Sequence, residues 1–197
     1  MKFPRGIFLV IILVFYILTP YIEAVEVDGP TEALIRSICV ENEDYGFCYK
    51  IIHEKLKAPT ATLKELTALI LHTAIDQAND TYIFIDNIFH EWPGPKEKTG
   101  LKTCHAVFNR EITSFLEIRF LFSKKEYEHM VKTILSTAKI LDGCKTDLLI
   151  PPYRNLLTEK KRVMRILITM SAVSGYMVKN GKASLLGSIV TPQYFIY

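Results

Sequence analysis

The sequence predicts an all-α protein, an up-and-down four-helix bundle with an N-terminal α-hairpin and two disulfides. Apolar residues recur at steps of three and four along four long segments, which is the period of a helix that buries one face. Two of these segments are joined by a very short connection, which makes them antiparallel neighbours. Four cysteines follow a leader that is typical of export, and an oxidising compartment favours disulfides.

The leader covers residues 1–24 and has the layout of a secretory signal peptide. Lys2 and Arg5 precede an apolar run over residues 7–18, which is shorter than the roughly 20 residues that span a bilayer. We expect cleavage near Ala24 and no stable membrane anchor, with a retained signal anchor as the alternative. The remaining chain fits one domain over residues 25–180, followed by an apolar tail over 181–197 of uncertain structure.

The charge of the mature chain is nearly balanced. Removing Lys2, Arg5 and Glu23 from the 24 basic and 21 acidic residues leaves 22 minus 20, or +2. Nucleic-acid binding requires a strongly basic face, so this balance argues against a nucleic-acid partner.

The α-hairpin is expected first, as two short helical pieces over residues 31–40 and 47–56 with a turn at 42–46. The first long helix, over residues 62–91, opens with a capping box from Thr62 to Glu65. Trp92-Pro93-Gly94-Pro95 ends it. Its predicted inward stripe is Leu63, Leu66, Ile70, Ile75, Ala78, Tyr82, Ile85 and Phe89.

The second long helix is expected over residues 99–122. Its predicted inward residues are Leu101, Cys104, Phe108, Ile112, Phe115, Ile118 and Phe122. Ser123-Lys124-Lys125-Glu126 is interpreted as another capping box that starts the third helix, which ends near Gly143. Its inward residues are Tyr127, Met130, Ile134, Ala138 and Leu141. After Pro151 and Pro152, the fourth helix is expected over residues 155–179.

The antiparallel arrangement of the second and third helices predicts the disulfide pairing. With a tight turn between them, the start of one helix lies beside the end of the other, which places Cys104 next to Cys144. Closing a loop of about forty residues contributes on the order of 4 kcal/mol to the free energy of unfolding. Cys39 and Cys48 remain, and their bridge would close the small hairpin.

No combination of residues in the sequence supports catalysis. It contains no Gly-x-Ser-x-Gly elbow, no His-Glu-x-x-His helix and no glycine loop for phosphate, so we expect no catalytic residue and no cofactor. The five histidines show no metal-ligand spacing, so no metal site is expected. The basic run Lys160-Lys161-Arg162 with Arg165 is interpreted as a solvated helix face, with contact to an acidic pectin or a partner surface as the alternative. Asn79-Asp80-Thr81 makes Asn79 a candidate glycosylation site, although it lies within a helix.

Three stretches of this chain resemble signatures of the invertase and pectin methylesterase inhibitors of plants. They are residues 37–48 with Cys39 and Cys48, residues 101–108 with Cys104, and residues 135–144 with Cys144. The resemblance covers residues 31–178 and implies the same disulfide pairing. It implies a secreted, non-enzymatic protein of the apoplast or cell wall. Its expected partner is a pectin methylesterase or an acid invertase, whose active site it would occlude.

The branch of the family depends on the connection before the third helix. Invertase inhibitors characteristically carry a Pro-Lys-Phe motif there, whereas this chain has Ser123 to Tyr127 without that motif. Trp92 to Pro95 looks more like the invertase branch, but pectin methylesterase is slightly favoured because that branch is larger. Lys124, Lys125 and Tyr127 are the expected inhibitory interface. The alternative is a secreted interaction module that keeps the fold without inhibiting an enzyme.

Overall fold

The computed structural model describes residues 27–90, 94–151 and 153–181. The expected signal peptide, Trp92-Pro93 and tail residues 182–197 lie outside them. In the described residues the helices are α1 (Gly29–Cys39), α2 (Tyr45–Lys55), α3 (Leu63–His90), α4 (Pro95–Ser123), α5 (Tyr127–Leu141) and α6 (Tyr153–Asn180), with a 3-10 helix at Thr146–Leu148. None of these helices is both long enough and apolar enough to cross a membrane.

Helices α3 to α6 form the predicted four-helix bundle. Each packs against its neighbour in the chain, and α6 closes the ring by packing against α3. The predicted fold class, all-α with an N-terminal hairpin and two disulfides, is confirmed. Gly175 of α6 lets it approach α5 closely, because a Cβ atom at this position would lie 2.9 Å from the Met130 methyl carbon.

The capping box at the start of α3 is confirmed. The Thr62 amide donates to the Glu65 carboxylate at 2.7 Å, and the Glu65 amide donates to the Thr62 hydroxyl at 3.3 Å. The predicted stripe is wrong at its end, where Ile88 is buried and Phe89 is 38% exposed. Ile88 follows Ile70 by 18 residues, which is five full turns, so both face the same side, whereas Phe89 is rotated by another 100°.

The boundary between α4 and α5 differs from the prediction. Ser123 is the last residue of α4 and its hydroxyl donates to the Phe120 carbonyl at 2.7 Å. It therefore does not cap α5, which begins at Tyr127 without a side-chain cap. At its other end α4 begins at Pro95, earlier than expected, because proline is favoured in the first turn of a helix.

The disulfides join the same pairs that the sequence predicted, Cys39 with Cys48 and Cys104 with Cys144. The first closes the α1–α2 hairpin, and the second ties α4 to the segment after α5. Hydrogen bonds hold the hairpin to the linker before α3. The Thr31 hydroxyl donates to the Ala61 carbonyl at 3.2 Å and accepts from the Ala61 amide at 2.8 Å.

Candidate protein-binding surface

The turn between α4 and α5 is a Schellman motif. The Glu126 amide donates to the Leu121 carbonyl and the Lys125 amide donates to the Phe122 carbonyl, both at 3.0 Å. Lys125 has a φ of 61°, in the left-handed region where glycine is usual. These hydrogen bonds fix the backbone of a turn whose side chains at Lys124 and Lys125 are exposed.

The three expected interface residues lie together at this turn. The Lys124 ammonium group is 5.5 Å from the centroid of the Phe120 ring, which is 58% exposed. The half-buried Tyr127 ring packs at 5.9 Å from the Phe122 ring. The turn thus presents two lysines and one anchored aromatic ring on a rigid backbone.

The α6 helix ends beside this turn. The Lys179 ammonium group lies 3.8 Å from the Glu128 carboxylate at the start of α5. A shallow depression next to the turn includes Tyr127, His129, Lys132 and Lys179. The turn surface therefore continues onto α5 and α6.

Beyond Lys132 the surface becomes a groove between α5 and α6, with a volume of about 740 Å³. The apolar residues that line it are Leu135, Ala138, Leu141 and Ile168. The charged residues that line it are Lys132, Lys139, Arg165, Glu41, Glu43 and Asp142. An apolar floor with a mixed charged rim suits a protein partner better than a single small anion.

Sequence reasoning did not identify this groove. The available signal in the sequence was that the apolar face of α5 is wider than its buried centre. Leu135 and Ala138 lie at the edge of this face, each directly after a buried residue, Ile134 and Thr137 respectively. Ala138 was expected to face inward, but it is half-buried and lines the groove. Residues at the edge of an apolar stripe border such grooves, because the neighbouring helix covers only the centre of the stripe.

On α6, three residues before the groove residue Arg165, Arg162 links the hairpin to the bundle. Its guanidinium group contacts Asp44 at 3.0 Å and Glu159 at 2.7 Å, and lies 5.4 Å from the Phe47 ring centroid. Asp44 caps α2 by accepting from the Phe47 amide, and this bond, together with Arg162, holds the pKa of Asp44 below its ordinary value.

The basic run on α6 is not simply a solvated face, contrary to the expectation. The Lys160 ammonium group lies 4.9 Å from the Phe84 ring centroid, and the Lys161 ammonium group donates to the Cys144 carbonyl at 3.3 Å. Burial lowers the pKa of Lys161. Helical periodicity places these residues on the polar side, but the hairpin and the segment after α5 cover part of that side.

The other candidate residues lie apart from this surface. Asn79 is exposed on α3, whereas Thr81 of the same sequon is buried and its hydroxyl donates to the Gln77 carbonyl at 2.7 Å. The His105 ring packs against the Tyr82 ring at a tilt of 34°, with centroids 4.2 Å apart. Within the described ranges, no group of three or more His, Cys, Asp or Glu side chains is arranged to hold a metal ion.

Two solved structures have folds similar to that of this chain. A mutant form A of a pectin methylesterase inhibitor from Arabidopsis is 17% identical, with a TM-score of 0.63 over 73% of this chain and 95% of that chain. A pectin methylesterase inhibitor from Arabidopsis thaliana is 16% identical, with a TM-score of 0.56 over 77% of this chain and 98% of that chain. At these identities the likeness shows the fold alone. No curated protein matches the chain.

Residues 33–171 match the family described as plant invertase/pectin methylesterase inhibitor. The match spans more than half of the chain and includes all four cysteines and the whole of α5. The protein therefore belongs to the plant invertase/pectin methylesterase inhibitor family.

Proposed function

We propose that the protein is a secreted inhibitor that binds a plant cell-wall carbohydrate-active enzyme and occludes its active site. The family match over residues 33–171 is the observation that carries this proposal. The fold supports it, because a helical bundle closed by two disulfides loses little conformational entropy on docking. The protein then acts by binding, without catalysis of its own.

Pectin methylesterase is the favoured target over acid invertase. The two solved structures compared above are both described as pectin methylesterase inhibitors. In this chain, Ser123 to Tyr127 lacks the Pro-Lys-Phe motif that is characteristic of invertase inhibitors, and it forms the end of α4 and the Schellman turn instead.

The binding surface in this proposal runs from Lys124, Lys125 and Tyr127 along the α5–α6 groove. From Lys132 to Leu141 the groove follows ten residues of α5, which is about 15 Å of helix. A standard interface buries about 800 Å² on each partner. The proposed surface therefore includes both the turn and the groove.

Inhibition assays test this proposal. The oxidised protein is assayed against a pectin methylesterase and an acid invertase side by side at mildly acidic pH, and we expect inhibition of the pectin methylesterase. Ala138→Glu places a charge on the groove floor and should weaken inhibition at least tenfold, as should Tyr127→Ala. The matched control is Leu116→Glu on α4, outside the groove, where the side chain is 42% exposed. Equal loss in the control variant would reject this binding surface.

A non-inhibitory interaction module is the second candidate. The first cysteine loop, Val40 to Phe47, lacks the Thr or Ser and the Pro that are usual in the family. Absence of both binding and inhibition with either enzyme would favour this candidate.

The proposal includes export and processing. Residues 1–24 are removed, residues 25–180 form the inhibitor domain, and 181–197 form a tail. N-terminal sequencing of the secreted protein would show a start near Val25.

Asn79 is proposed as a glycan site, since its side chain is exposed. A mass shift on deglycosylation that disappears in Asn79→Gln would support it.

A further inference from the structure

Glu111 is a buried carboxyl group in the middle of the bundle. Its side chain lies on α4 with no exposed surface. Neither carboxylate oxygen has a hydrogen-bond partner in the described part of the chain. It is the only residue with an ionisable side chain among those buried in that part; the other buried polar residues are threonines and serines. Burial of an unpaired charge is costly, so this position favours the neutral acid.

The antiparallel register shows what surrounds Glu111. On α4, His105 packs against Tyr82 of α3, and Cys104 is bonded to Cys144 after α5. Counting along the antiparallel helices from these contacts places Glu111 near the level of Asp76 on α3 and Thr137 on α5. Asp76 is only partly buried, whereas its neighbours towards the core, Ala74 and Ala78, are buried, as is the uncharged Thr137. The Thr137 hydroxyl already donates to the Ile134 carbonyl at 2.6 Å.

Charged groups near this level lie outside the core. On α5 these are Lys132 and Lys139, both exposed, and on α4 itself Arg110 is exposed. On α3, Asp80 is exposed and Asp76 is partly exposed. The 3-10 helix packs against the opposite half of α4, near Gly100, and α6 packs against α3 and α5 rather than α4. Burial alone raises the pKa of Glu111 to about 8, with no contribution from any of these charges.

We propose that Glu111 makes the bundle an acid-stabilised fold, in which the protonated carboxyl group is accommodated in the core and its ionisation loosens the packing of α4. An unfolded glutamate ionises near pH 4.5, and the folded one near pH 8. Between these values the folded chain binds more protons, so the free energy of unfolding falls as the pH rises. The inference concerns folding alone and does not depend on the proposed inhibitor function.

Urea unfolding of the full mature chain at half-unit steps from pH 5 to pH 9 tests the inference. For the unmodified protein, we expect the unfolding equilibrium constant to rise by up to about tenfold per pH unit between pH 5 and pH 8. Glu111→Gln removes the ionisable group at similar size and should flatten this dependence. Glu111→Leu should flatten it as well, and it provides a second variant if the amide is poorly accommodated.

The matched control is Glu117→Gln, an exposed glutamate on the same helix. It should keep the pH dependence of the unmodified protein, and any contribution from the five histidines is common to all four proteins. A second measurement follows the carboxyl carbon of Glu111 by NMR in protein labelled with ¹³C-glutamate. Titration well above pH 6 supports the inference. Parallel unfolding profiles for Glu111→Gln and the unmodified protein, or titration of Glu111 near pH 4, would overturn it.

Discussion

The α1–α2 hairpin and the four-helix bundle share one apolar core, but they differ in the polar contacts that add to it. The bundle buries large apolar side chains, among them Phe108 and Phe115 with no exposed surface. The hairpin adds Ile35, Ile38 and Ile52 to this core, and it also has a network of polar contacts. Glu32 accepts from Arg36 at 2.7 Å and from the Tyr49 hydroxyl at 3.1 Å, and the Arg162–Asp44 pair joins the hairpin to the bundle.

The two regions also differ in the carboxyl groups that make their stability depend on pH. In the hairpin, the hydrogen bond from Arg36 lowers the pKa of Glu32, and the amide of Phe47 lowers the pKa of Asp44, so both carboxylates are stabilised when ionised. In the bundle, burial stabilises the neutral form of Glu111. The hairpin carboxylates therefore lose stabilising contacts in acid, as do Glu65 and Glu159 of the bundle, whose pKa values are also lowered, whereas ionisation of Glu111 destabilises the bundle in alkali.

Removal of each disulfide gives the largest expected effects. Cys104→Ser with Cys144→Ser opens a bridge between residues 40 positions apart, which should lower the free energy of unfolding by about 4 kcal/mol. Cys39→Ser with Cys48→Ser opens a bridge of nine positions and should cost about 3 kcal/mol, concentrated in the hairpin. Urea unfolding measures both losses. A larger loss for the hairpin pair would contradict the assignment of global stability to the bundle.

Arg162→Met should separate the hairpin from the bundle at smaller cost. It removes the contacts to Asp44, Glu159 and the Phe47 ring, which together should contribute about 1 kcal/mol because the guanidinium group is partly exposed. Hydrogen exchange should accelerate in α2 and remain unchanged in the centre of α4. The control is Arg165→Met, whose nearest carboxylate, on Asp142, is 3.9 Å away. Equal acceleration of α2 in both variants would contradict this role of Arg162.

Lys125→Gly should stabilise the bundle without affecting the hairpin. Glycine adopts a positive φ without the steric cost that lysine has, and after allowing for the entropy of the unfolded chain the gain should be roughly 0.5 to 1 kcal/mol. Thermal unfolding measures the gain, and exchange in α2 should not change. Lys124→Gly is the control, because Lys124 has a φ of −82° and gains nothing from glycine. Similar stabilisation in both variants would argue against strain at Lys125.

Acidification should produce the smallest effect, which we expect to begin in the hairpin. The ordinary pKa values of Asp44 and Glu32 are 3.8 and 4.5, and both are lowered in the fold. Their contribution to stability is complete above pH 4.5 and is lost as the pH falls through the lowered values. Tyrosine fluorescence from Tyr45 and Tyr49 should therefore change below pH 4 while helical circular dichroism remains. Asp44→Asn should weaken this transition, and loss of the bundle signal first would contradict it.

The helices of the bundle could be predicted because periodicity and capping are local properties. Thr62 and Glu65 specify the start of α3 through residues three positions apart. Ser123 to Glu126 has the same sequence signal, yet the tertiary structure overrides it. The amides of Lys125 and Glu126 donate to carbonyls at the end of α4 in the Schellman turn. The same residues are therefore not available to form an N-terminal capping box for α5.

The groove and the buried carboxyl group could not be predicted in the same way. Glu111 lies between the apolar residues Phe108 and Phe115, but a glutamate in a helix is ordinarily assigned to the surface, and its burial depends on how α3 and α5 close over α4. The groove depends on the separation of α5 and α6, which Gly175 and its contact with Met130 help to set. Such properties arise between helices rather than within them.

The Cys104–Cys144 disulfide also determines what a protease can do to this protein. The exposed Lys124–Lys125 turn lies between the two cysteines, and a cut after either lysine would divide the chain into two fragments. The disulfide would keep these fragments covalently joined, and the packing of α4 against α5 would hold them in place. A nicked molecule would thus migrate as two fragments only after reduction, while its groove remained assembled.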